Sequence, residues 1–202
     1  MKYILIFAGI SFAFLAYFFF SGSDSVTNYP SSGTSVVAFG DSLVEGVGAS
    51  EGNDFVAVLS RQIGEPIINL GKSGDTTKDA LARMSQVVDS NPKIVIVLLG
   101  GNDYLKNVPA EETFSNLETI IEEIHASGAI VLLLGVRGGI LHDGYESQFE
   151  DLAEKHNVAY VSDVLDGLIG KPGLMSDTIH PNDAGYKIIA DRVYPVLGEL
   201  LQ

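Results

Sequence analysis

The chain contains no cysteine. That excludes a thiolate nucleophile, a disulfide framework and every Cys-ligated zinc or iron–sulfur site, and it leaves the redox compartment open. Positive charge is scarce: 12 Lys and Arg stand against 26 Asp and Glu, a formal net charge of -14 over 202 residues. A nucleic-acid binder needs clustered cations to displace counterions from phosphates, so nucleic acid is not an expected partner. His125, His142, His156 and His180 are never spaced as a helical His-x-x-x-His zinc pair. Gly46-Val47-Gly48 lacks the third glycine of a dinucleotide fingerprint, because Glu51 stands in its place. Lys72-Ser73 follows Gly71 without the glycine spacing of a phosphate loop. No internal repeat is visible. The sequence thus calls for no cofactor and no metal.

What is present is a folded chain with an apolar leader. Hydrophobic residues make up 46% and charged residues 19%, which suits one packed domain. Residues 4–20 are uncharged and rich in phenylalanine, with Lys2 just ahead. As a helix they would reach about 26 Å, the short end of what spans a bilayer. The positive-inside rule puts Lys2 in the cytoplasm and sends the rest of the chain across. Two readings compete for residues 1–20: an uncleaved transmembrane anchor, or a signal peptide with Ser21 and Ser23 before the cut. Residues 21–34 are rich in Ser, Gly, Asn and Pro and read as a flexible tether. Residues 35–202 form the domain. Anionic headgroups would repel so acidic a domain, so membrane attachment depends on the apolar segment.

Strand and helix patterns alternate through the domain. Residues 35–39, 67–70, 93–99, 130–134 and 158–161 read as short β-branched or continuously apolar strands. Residues 53–63, 78–88, 109–126, 147–156 and 182–201 read as helices. In the second of these Leu81, Met84 and Val88 share a face. Five alternations imply right-handed crossovers and a parallel sheet covered on both faces. The expectation is a three-layer α/β/α domain with a five-stranded parallel sheet.

In such a sheet the working site lies outside the carboxyl ends of the strands. Four segments fall there: Gly40-Asp41-Ser42-Leu43, Gly71-Lys72-Ser73-Gly74-Asp75, Gly100-Gly101-Asn102-Asp103 and Asp177-Thr178-Ile179-His180. Their residue types fit nucleophilic acyl transfer. A serine hydroxyl is a weak nucleophile until a base takes its proton, and a histidine does that near neutral pH. Asp177, three residues before His180, can hold one imidazole nitrogen as N–H and leave the other facing Ser42. The oxyanion that forms needs fixed donors. Asn102 offers a side-chain NH₂, Gly71 an unobstructed backbone N–H, and Ser42 its own.

Taken in order, these four blocks resemble those of the SGNH (GDSL) hydrolase family over nearly all of residues 36–201. The runs 69–76 and 99–103 look most like its bacterial acyl thioesterase, lysophospholipase and arylesterase branch. The resemblance implies a flavodoxin-like sheet and a small-molecule ester or lipid substrate. It implies catalytic roles for Ser42, Asp177 and His180, and an oxyanion hole of Ser42, Gly71 and Asn102.

Competing readings are concrete. His142 with Asp143, in the Gly-rich loop 137–144, is a rival base–acid pair on what reads as a mobile pocket rim. His125 and His156 fall in last helical turns, where a cation meets the dipole. Asp41 is expected to bond the loop backbone, and Asp103 to serve structure. Asp41, Asp103 and Asp177 could instead gather a metal, as a phosphodiesterase of similar topology would require. A non-catalytic binding module on the same scaffold and a short-chain acetyl esterase of the family are further alternatives.

Overall fold

A computed structural model describes residues 26–137 and 144–202. The apolar leader lies outside the described residues, as does the His142–Asp143 pair. Five parallel strands form one sheet: β1 (Ser35–Gly40), β2 (Ile67–Gly71), β3 (Pro92–Leu98), β4 (Ile130–Leu134) and β5 (Ala159–Val161), in the order β2-β1-β3-β4-β5. Every pairing is parallel. The continuous apolar runs have their cause here: β4 and nearly all of β3 are buried on both faces.

Helices cover both faces. On one, α2 (Phe55–Ile63) packs against α8 (Asp183–Leu200). On the other, α6 (Ala110–Ala126) packs against α3 (Thr77–Leu81), α7 (Tyr145–His156) and β4. The helical stripe of α6 is buried at Leu117, Ile120, Ile121 and Ile124. This is the three-layer, five-stranded architecture expected.

Three local features depart from expectation. Residues 78–88 are not one helix: α3 ends at Leu81 and a separate turn, α4 (Ser85–Val88), follows. Because the chain breaks there, Val87 is buried and Val88 is exposed, so the anticipated face is not continuous. Two short helices appear just past strand ends, α1 (Ser42–Glu45) after β1 and α5 (Gly101–Leu105) after β3. Finally, residues 26–34 are not a loose tether. Thr27 N–H and Oγ1 donate to Asn157 O and His156 O, Asn28 Nδ2 to His125 O and Ala129 O, and Ser31 Oγ to Gly128 O. These carbonyls lie at or just past the ends of α6 and α7, so polar side chains capture the segment.

The sheet order fixes where a ligand can sit. The chain moves outward from β1 to β2, then returns to the other side for β3. That reversal opens a crevice between the carboxyl ends of β1 and β3. Gly40 is level with Gly71 on one side and with Leu98 on the other. The segments after all three strands therefore emerge at one edge.

Candidate active site

Ser42 is the first residue of α1, delivered to the crevice by the end of β1. Asp41 caps the helix: its Oδ1 accepts the Leu43 N–H at 3.0 Å. His180 arrives from the segment before α8. Its Nε2 lies 3.0 Å from Ser42 Oγ, across 138 positions of chain. Its Nδ1 lies 2.7 Å from Asp177 Oδ2, and Asp177 Oδ1 accepts the N–H groups of Ile179 and His180 at 2.8 and 2.7 Å. The hydrogen bond from His180 and these two backbone donors hold the Asp177 carboxyl down at about 2. An ionised Asp177 fixes the imidazole tautomer with Nδ1–H, leaving Nε2 as the acceptor for the serine proton.

Of the expected oxyanion donors, Asn102 lies on α5 and lines the same cavity as Ser42 and His180. Its Nδ2 donates to Asp75 O at 2.9 Å and to Asp41 Oδ2 at 3.3 Å. The first bond fixes the amide. The second is longer and weaker, and its proton is the one a developing oxyanion can take over. Gly71 does not match its expected role. Its N–H is given to Asn69 Oδ1 at 2.8 Å, and a Cβ there would stand 2.1 Å from the backbone N of Glu45. Gly71 is glycine because α1 packs onto it. Three residues on, Gly74 has φ +83 and its carbonyl accepts from Lys106, while its N–H has no partner among the described residues. The adjacent Asp75 carbonyl holds Asn102.

The sequence reading also passed over Arg83. This side chain is buried between α3 and α4. Its Nε donates to Asp75 Oδ2 at 2.6 Å, Nη1 to Leu70 O at 2.9 Å and Nη2 to Gly40 O at 2.8 Å, and its guanidinium stacks 4.4 Å from the Phe39 ring centre. One planar cation thus ties the ends of β1 and β2 to the turn that holds Asn102. Asp103 is structural, as expected: fully buried, it accepts from Thr77 N and Oγ1 at the start of α3. Asp41, Asp103 and Asp177 turn to separate partners, so they do not converge as metal ligands. Burial, above all, pushes Asp41 up to about 6, with Asp103 and Asp75 adding to the rise and Leu43 N–H and His180 opposing it.

Among the described residues, His125 and His156 do not line this site. His156 bonds Glu118 Oε1 at 3.0 Å. Burial lowers His125, and the nearby His156 lowers it further. That lowering works against the cation–dipole reading at His125. A cavity of about 870 Å³ opens over Ser42 and His180, walled by Leu43, Tyr104, Val136 and Leu165 among others. A shallower groove of about 550 Å³ between α2 and α8 holds no nucleophile beside a base.

Comparison with known proteins identifies the family and the fold. The sequence profile of the GDSL-like Lipase/Acylhydrolase family matches residues 38–188. Esterase TesA of Pseudomonas aeruginosa is 29% identical over 82% of this chain and 89% of its own length. Thioesterase 1/protease 1/lysophospholipase L1 of Escherichia coli K12 is 30% identical over 77% of this chain and 79% of its own. A crystal structure of TesA superposes with a TM-score of 0.77 at 28% identity, covering 83% of this chain and 99% of that one.

Proposed function

The chain belongs to the GDSL-like lipase/acylhydrolase family and is an ester hydrolase, and from that premise we propose that Ser42, His180 and Asp177 perform the chemistry through an acyl-enzyme. His180 Nε2 takes the proton of Ser42 Oγ as the oxygen attacks the ester or thioester carbonyl. The electron pair of the carbonyl moves onto its oxygen. Ser42 N–H, Gly74 N–H and one Asn102 Nδ2 proton receive that charge; each such donor is worth on the order of 10²–10³ in rate. His180 then hands its proton to the leaving group, and the carbonyl closes onto Ser42 as an ester. Water repeats the sequence to release the acid. Asp177 stays ionised throughout and keeps the imidazole in place.

The observation that carries this reading is the unbroken path from Ser42 Oγ through His180 to Asp177, at 3.0 and 2.7 Å. Ser42→Ala abolishes turnover of a p-nitrophenyl ester while thermal unfolding stays nearly unchanged. A fluorophosphonate probe labels the wild type at Ser42 and leaves the variant unlabelled, which a binding module would not do. His142→Ala retains turnover. A Ser42→Ala protein that keeps most of its activity rejects the assignment.

Residues 4–20 support delivery of the domain across a membrane, either on an uncleaved anchor or behind a cleaved leader. Among the described residues no helix is long and apolar enough to cross one. Outside the cytoplasm a lipid-derived, aryl or small acyl ester is the natural substrate class, because acyl-CoA is a cytoplasmic metabolite.

A further inference from the structure

The proposed chemistry makes no use of Arg83, which does not line the cavity. It is nine-tenths buried, in the turn between α3 and α4, and stands against a buried Asp75. A buried ion pair is a poor source of stability, because desolvation offsets most of the attraction. What a guanidinium supplies is direction, since its donors lie in one rigid plane. Here each nitrogen reaches a different stretch of chain. Nη2 donates to Gly40 O, two residues before Ser42, Nη1 to Leu70 O in β2, and Nε to the Asp75 carboxylate. Asp75 passes the constraint on, because its own carbonyl accepts Asn102 Nδ2 at 2.9 Å. Ser73 N–H to Glu45 Oε2 and Lys106 Nζ to Gly74 O also hold this turn. Both of those bonds are exposed to competing water, whereas the bonds from Arg83 to Asp75 and Gly40 are buried.

We infer that Arg83 is a positioning residue of the hydrolase site: through Asp75 it places the Asn102 amide relative to Ser42, a role that rests on the ester-hydrolase reading above and on Asn102 as an oxyanion donor. One Asn102 Nδ2 proton is given to the Asp75 carbonyl, and the other is left for the oxyanion. Where that carbonyl stands therefore sets where the second proton points. Arg83 holds Asp75 in the same frame as the end of β1, which delivers Ser42. A misplacement of about 1 Å at such a site can cost on the order of 10²-fold in rate. Charge gathers on the substrate oxygen only in the transition state, so the loss falls on kcat and spares KM.

Arg83→Lys keeps the charge and loses the planar fork. With a p-nitrophenyl ester, kcat per folded molecule falls by about 10- to 100-fold while KM stays within about twofold. A double-variant cycle with Asn102→Ala tells a positioning role from a structural one. Once the amide is gone, Arg83→Lys costs about threefold or less, because the group it acts through is absent. An undiminished loss in the Asn102→Ala background overturns the inference. So does a loss that vanishes when rates are corrected for the folded fraction by circular dichroism, since Arg83 would then serve stability alone. Asp75→Asn keeps the backbone carbonyl and an oxygen for Nε; it takes the place of Arg83→Lys in the cycle if that variant does not fold, with the same non-additivity expected. An Asn102→Ala protein with wild-type kcat removes the oxyanion assignment and the role of Arg83 together. A wild type inert towards the ester brings down the hydrolase reading itself, before any variant is compared, and the role of Arg83 goes with it.

Discussion

Asp41 stands one position before the candidate nucleophile and holds two roles at once, capping α1 and contacting Asn102. Burial makes its proton harder to remove in the folded chain than in the unfolded one. Below about pH 4 the group is protonated in both states and contributes nothing. As the pH climbs towards 6 the unfolded chain gives up this proton first, so stability is lost across that window. A rise of about two pH units corresponds to roughly 3 kcal/mol at most. Asp41→Asn keeps an acceptor for Leu43 N–H and removes the titration. Urea unfolding of the two proteins between pH 4 and 7 should show them diverging, with the variant gaining on the wild type as pH rises; parallel curves would reject this account. At this scale much was legible. Ser42, Asn102, Asp177 and His180 announce themselves by chemistry and position after a strand. Gly71 was singled out for its N–H while its packing against α1 was missed, and Arg83 was passed over because its three acceptors are brought together only by the fold.

Among the elements, the strands were the easiest to read, since burial on both faces leaves a continuous apolar run. The two helices that carry Ser42 and Asn102 were invisible. Helices of four and five residues are too short to display a 3.6-residue repeat. The break between α3 and α4 was hidden for a related reason: the backbone runs on through tight turns, Arg83 N–H to Ala80 O and Met84 N–H to Leu81 O, which leave no mark on the residue pattern. Contact between α1 and the end of β2 makes a direct prediction. Gly71→Ala forces a Cβ to within 2.1 Å of Glu45 N and 2.6 Å of its Cα. Both are backbone, so α1 must shift. The expected cost is about 1–3 kcal/mol, with loss of turnover because Ser42 rides on that helix. A melting curve and a p-nitrophenyl ester assay check both parts, and a variant with wild-type values in each would show that the contact is dispensable.

For the whole molecule, the docked segment before β1 separates two kinds of truncation. Removing residues 1–25 leaves every described contact in place, so turnover and melting temperature should match the full chain. Removing residues 1–34 deletes the bonds from Thr27, Asn28 and Ser31 and the packing of Val26 and Tyr29 on the core. Stability should fall by roughly 2–4 kcal/mol, read by denaturant midpoint. The sequence marked this stretch as loose because its composition is polar, but carbonyls at helix ends reward such composition. Its course also sets a polarity. The segment grips the loops that precede β3, β4 and β5, whereas Ser42 opens at the far edge, a strand length of about 20 Å away. The first described residues and the candidate nucleophile thus sit at opposite edges of the sheet, so whatever is joined ahead of Val26 meets the domain on the side away from Ser42.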